Sequence, residues 1–165
     1  GIEPAIKPAA IQSKTNCIGI LATKGTLNSE LFHKSVTNHP DVKIIEQIGH
    51  GLVQLIENGD INSPEMIELL ESYLLPMVEK NIDYLVLGCS HYPYLIPQIK
   101  KIIPSNIKII DSGEAVAKQT KRILEENNIL NNSIEIATQT FYTNSDPTVL
   151  ENILKNKEKV FYKNF

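Results

Sequence analysis

The sequence is poor in three things, and each shortage argues against a class of function. It has no run near the ~20 consecutive apolar residues that span a bilayer. Nothing in it reads as a secretory signal, so a cytoplasmic protein with no membrane partner is expected. Cysteine is scarce: Cys17 and Cys89 are the only two. They lie far apart, which suits free thiols in a reducing compartment rather than a disulfide framework. Neither has a CxxC or HxxxH neighbour, so no metal site is expected. Basic charge is thin as well. The formal net charge is -3, and the densest clusters, Lys100-Lys101 and Lys118 to Arg122, read as solvated helix faces, which argues against nucleic acid as a partner.

What is present is a chain able to fold. With 42% hydrophobic and 21% charged residues it can bury a core and does not read as disordered. Its 165 residues fit one compact domain, or one domain plus a piece of another. Short β-branched runs alternate with helical stretches. Strands are predicted at Ile18 to Ala22, Val42 to Ile48, Ile82 to Leu87 and Ile107 to Asp111. Helices are predicted from Ser29 to Thr37, from Ser63 to about Lys80, and in a short stretch before Pro104. Ser63-Pro64-Glu65 is a strong helix start: a capping hydroxyl, a proline at the first position and a carboxylate in the first turn. Near-continuous apolar strands separated by helices indicate an α/β fold, a parallel sheet with helices on both faces. After Asp111 the texture changes. A helix over Glu114 to Glu126 leads through an asparagine-rich turn (Asn127, Asn128, Asn131, Asn132) to a predicted strand at Ile134 to Tyr142. A last helix opens at Asn144 to Pro147, and Val160 to Tyr162 forms a final strand. This tail shows no obvious partner strands of its own.

In parallel sheets, ligands bind at the carboxyl ends of strands. Three suggestive segments fall there: Thr23 to Thr26, Cys89 to His91, and Asp111 to Gly113. Cys89 is the centre. It sits in Gly88-Cys89-Ser90-His91-Tyr92-Pro93, where a glycine allows close approach to the backbone. A thiol reacts as thiolate, and with an ordinary pKa of about 8.5 it needs a base or backbone N–H groups nearby to be useful at neutral pH. Plain structural uses stand beside these. Thr23 and Thr26 suit helix capping, Glu57 suits an exposed helix end, and Cys17 suits the core. His33, His39 and His50 read as surface or turn residues.

The run Gly88 to Pro93 resembles the GCTHYP signature of glutamate racemases, with Ser90 keeping the hydroxyl of the usual threonine. Other pieces agree in order: Ile2-Glu3-Pro4 with the family's IEP, Thr23 to Thr26 with its threonine turn (Ala22 standing where glycine is usual), and Leu55 to Gly59 with its LVExG segment. Asp111 to Gly113 and Tyr142 to Pro147 match tail features. The resemblance implies interconversion of L- and D-glutamate by two cysteines on opposite faces of the α-carbon, with no cofactor and no metal, and supply of D-glutamate for peptidoglycan. By the same resemblance Cys89 is one acid/base and His91 assists it. Glu57 matches a carboxylate near that histidine or the substrate ammonium, and Ser90, Thr23 and Thr26 bind substrate or orient the site.

The resemblance also implies a first lobe with an Asp-Ser near its start and a Cys-Asn-Thr turn carrying the other cysteine. No Asp-Ser stands near the start here and no Cys-Asn-Thr occurs. Residues 1–112 are therefore expected to form the second α/β lobe. Residues 113–165 are expected to be a return segment completing the first lobe, whose N-terminal part is absent. Alone, such a chain is expected to be inactive and to expose apolar surface in its tail, which homodimerisation would cover. Three other readings compete. An aspartate racemase-like enzyme usually has glutamate where His91 stands. A cysteine hydrolase needs a Cys–His pair with an orienting carboxylate, for which two residues two apart on one turn look awkward. A non-catalytic binding module needs none of this chemistry.

Overall fold

The computed structural model describes residues 3–131, 133, 135, 136, 138–155 and 157–165. Four parallel strands build the main sheet: β1 (Cys17–Ala22), β2 (Lys43–Ile48), β3 (Tyr84–Gly88) and β4 (Lys108–Asp111), in the order β2-β1-β3-β4. Side chains alternate across a strand, and here both faces are covered. Ile18, Ile20 and Ala22 of β1, with Tyr84 and Val86 of β3, pack under α1 (Glu3–Gln12), α2 (Lys24–Leu27) and α3 (Glu30–Thr37). Cys17, Leu21, Leu85 and Leu87 point the other way, toward α4 (Leu52–Glu57), α5 (Pro64–Glu79) and α6 (Ile96–Ile102). Burial on both sides is why these strands read as unbroken apolar runs. Each fully buried Leu or Ile contributes about 1.5–3 kcal/mol of transfer free energy. Gly19 lies where α5 approaches the sheet, and a Cβ there would crowd Ile82 and Met77.

Local chemistry explains most element ends. The Ser63 hydroxyl accepts the Met66 N–H at 3.1 Å, with Pro64 at the start of α5, as predicted. Ser29 caps α3 in the same way through Phe32. The helix α1 was not among those predicted. α1 contains Pro4 and Pro8, which mask it in the sequence, but Ala5, Ile6, Ala9 and Ala10 form a buried stripe against the sheet. That packing outweighs the hydrogen bond lost at Pro8.

The tail departs from expectation in one respect. Among the described residues, strand structure in the tail begins at β5 (Phe141–Thr143). Ile134 and Ala137, like Ile2 and Asn132, lie outside the described residues, and Ile136 is 97% exposed. β5 does have a partner: it pairs in parallel with β6 (Val160–Tyr162), joined through α8 (Pro147–Ile153). α7 (Gly113–Glu126) lies along α1, and α8 lies against α4. No helix among the described residues is long and apolar enough to cross a membrane.

Candidate active site

The chain leaves β1 to one side of the sheet and β3 to the other, because α2 and α3 cover one face while α6 covers the opposite one. The crevice between two such strand ends is where open α/β sheets bind ligands. The register pairs Ala22 with Gly88, so Thr23 and Cys89 emerge side by side. A cleft of about 720 Å³ opens there, lined by Pro4, Thr23, Thr26, Cys89, Ser90 and Ser112 among others.

Behind the cleft, three side chains form a line. Cys89 Sγ lies 3.8 Å from His91 Nδ1, and His91 Nε2 lies 3.0 Å from Glu57 Oε1. A carboxylate only accepts, so Nε2 carries a proton. In the neutral imidazole Nδ1 is then the acceptor facing the thiol. The line can therefore take the Cys89 proton and stabilise the imidazolium that results. Spacing by two was expected to be awkward for a Cys–His pair with an orienting carboxylate; the structure corrects that expectation. The chain reverses at Cys89, where Tyr92 N–H donates to its carbonyl at 3.2 Å, and the turn brings both side chains to one side. Glu57 is placed by the end of α4. Gly59, with φ +84°, lets the chain fold back so that Gly59 N–H reaches Ile56 O and Asp60 N–H reaches Leu55 O. Glu57 is 44% and His91 28% exposed, so their attraction is screened.

The threonine turn is fastened to the same strand end. Thr26 Oγ1 donates to the Gly88 carbonyl at 3.0 Å and lies 3.0 Å from Thr23 Oγ1. A hydroxyl has one proton. Thr26 has given its own to Gly88, so Thr23 donates to Thr26, while Thr23 Oγ1 accepts the Thr26 N–H at 3.3 Å. The capping use expected of Thr23 is thus present together with its place in the cleft. Ser90 is exposed on the cleft wall. Ser112, from the third suggestive segment, reaches the same cleft. Pro4 was flagged only as part of a resemblance, and nothing local in the sequence told of its position here.

Cys17 stands apart, buried in the core at the start of β1. Burial pushes its thiol pKa up, and the nearby Asp83 adds to the effect against Lys43 and Lys80. His33 and His50 are exposed and His39 is half-buried.

A profile described as Asp/Glu/hydantoin racemase matches residues 1–120. The chain belongs to that family. A glutamate racemase from Pseudomonas putida is 42% identical over 155 residues, 93% of this chain and 58% of that protein. Among solved structures, a glutamate racemase isoform from Bacillus anthracis superposes with a TM-score of 0.84 at 27% identity, over 99% of this chain and 63% of that one. The glutamate racemase of Francisella tularensis in complex with D-glutamate gives 0.79 at 25% identity, covering 99% and 62%. This member of the racemase family thus spans less than two thirds of the length of the proteins it matches.

Proposed function

We propose that this chain supplies one catalytic face of a glutamate racemase, a cofactor-independent enzyme that interconverts L- and D-glutamate. The observation that carries this reading is the Cys89–His91–Glu57 line opening on a cleft at the ends of β1 and β3. It occurs in a family member whose similar proteins include a glutamate racemase crystallised with D-glutamate.

In this scheme the Cys89 thiolate takes the α-proton from one face, and an opposing thiol delivers a proton to the other. The first thiolate ends as thiol and the second as thiolate, so only configuration changes. His91 exchanges the Cys89 proton, and Glu57 orients the imidazole and stabilises its charge. An α-proton is far less acidic than a thiol, so the developing carbanion needs fixed dipoles and exclusion of water. Thr23 and Thr26 have committed their hydroxyl protons and offer lone pairs, which suit the substrate ammonium. The exposed Ser90 hydroxyl is free to face a carboxylate. Residues 1–112 act as the lobe carrying Cys89, and residues 113–165 complete a partner lobe that bears the second thiol. The product feeds peptidoglycan synthesis in the cytoplasm, and a homodimer covers the tail.

The test is exchange in heavy water by the enzyme containing both lobes. Deuterium at the α-carbon with inversion of L- and D-glutamate is the expected result. Preference for aspartate would favour the aspartate racemase reading. Hydrolysis of an acyl substrate without α-exchange would favour a cysteine hydrolase, whose Cys–His–carboxylate requirement this line also meets.

A further inference from the structure

One fully buried residue ties the chain after β2 to the chain after β3 at the site. Tyr92 is 0% exposed, yet its hydroxyl donates to the Gly49 carbonyl at 3.0 Å. Gly49 N–H donates to Ala22 O, the last residue of β1, at 3.0 Å, and Tyr92 N–H donates to Cys89 O just after β3. Gly49 itself directly follows β2. The phenol is seated on bare backbone, because a Cβ at Gly49 would overlap Tyr92 Oη and Leu52 Cδ1. Burying a hydroxyl is unfavourable unless it has a partner, and phenylalanine would fill the same space without needing one.

What the partner controls is the approach to α4. From Gly49 the chain passes through His50 and Gly51, whose φ of +79° turns it into the helix, and six residues later reaches Glu57. The far end of that short helix must meet His91, 34 positions away in sequence, at 3.0 Å. Both partners are partly exposed, and an exposed ion pair is too weak to hold two elements together by itself. The spacing has to come from the frame.

We propose that Tyr92 is a positioning residue, its hydroxyl anchoring the Gly49 carbonyl so that α4 holds Glu57 in reach of His91. The proposal rests on the reading of the Cys89–His91–Glu57 line given above. Tyr92 acts through Glu57 and does not touch the reacting atoms. Burial, with Cys89 and Tyr73 nearby, pushes the phenol pKa far up, so the hydroxyl remains a donor at any working pH.

The experiment measures alkylation of Cys89 by iodoacetamide at pH 7 in the full chain, by mass mapping of its peptide. It compares Tyr92→Phe, Glu57→Gln and the double variant, each checked for folding by its melting curve. Loss of the line's carboxylate is expected to slow alkylation about tenfold, since only the thiolate reacts. Tyr92→Phe is expected to slow it roughly three- to fivefold, and the double variant no further than Glu57→Gln alone, the signature of two groups acting through one path. Placing 4-aminophenylalanine at position 92, which restores a donor, is expected to return the rate and serves equally if Tyr92→Phe does not fold. A native rate in Tyr92→Phe beside a slow Glu57→Gln would overturn the proposal and leave the line intact. Additive slowing in the double variant would also overturn it, by showing an effect that bypasses Glu57. A native rate in Glu57→Gln would overturn the line and this proposal with it.

Discussion

Thr26 Oγ1 donates to the carbonyl of Gly88 at 3.0 Å, tying the turn after β1 to the residue immediately before Cys89. The bond spans 62 positions in sequence and joins neighbouring strand ends. Thr26→Val keeps the shape and removes the hydroxyl, leaving a buried carbonyl short of one partner, at about 1 kcal/mol. In the two-lobed enzyme, kcat is expected to fall about tenfold with a smaller change in KM, because the thiol loses its fixed position. Thr26→Ser, which keeps the donor, should recover most of the loss. Damage from Thr26→Ser with little from Thr26→Val would show that the methyl, not the hydroxyl, matters.

The two cysteines should separate cleanly. In the same enzyme, Cys89→Ser is expected to reduce racemisation by about 10³-fold or more, because an alcohol is far less acidic than a thiol and almost never ionises to the base that takes the α-proton. Cys17→Ala should leave the rate within about twofold and cost on the order of 1 kcal/mol in stability, since Cys17 serves as a small core residue. Circular dichroism of glutamate solutions reads the first effect and denaturant melts the second.

Asp83 makes a test of acid stability. Burial opposes its ionisation, but the Ser13 hydroxyl at 2.7 Å and the Lys14 and Thr15 amides at 2.6 and 3.2 Å outweigh it, and its pKa is lowered. A lowered folded pKa means the stabilisation is complete above the ordinary carboxylate value of about 4. It is lost as pH falls below that, through the folded value. Asp83→Asn is therefore expected to cost about 1–2 kcal/mol at pH 7, after discount for partial exposure. Near pH 2 the variant and the parent should unfold at nearly the same denaturant concentration. A difference that persists at pH 2 would assign the effect to shape rather than charge.

The 165-residue chain by itself is expected not to racemise glutamate. One thiol returns a proton only to the face it came from, so slow exchange with retention is the upper limit. Polarimetry on the purified chain checks this, and turnover would overthrow the two-thiol scheme.

The tail bears on how that chain behaves in solution. Tyr142, Tyr162 and Phe165 are 50%, 64% and 76% exposed, on or beside a two-stranded sheet with open edges. Such surface favours self-association. Light scattering is expected to give a mass above that of a monomer, and a monodisperse monomer at high concentration would refute this expectation alone.

Local patterns in the sequence determined a good deal. Apolar strands bounded by turn residues announced the four parallel strands, and Ser63-Pro64 announced α5 to within a residue. The glycine, hydroxyl and imidazole around Cys89 marked the strand end where chemistry was expected. These are short-range effects: capping, alternation and turn geometry act within a few residues, so the local string encodes them. Tertiary structure alone decided the rest. It buried the stripe that makes α1 a helix despite its prolines, and it confined the β5 strand to the three residues that β6 reaches. It also brought Glu57 to His91 and settled which way the threonine protons point. Each of those depends on strand register and on how helices lie across the sheet. Contacts between residues distant in the chain are set by that packing, which no local pattern spells out.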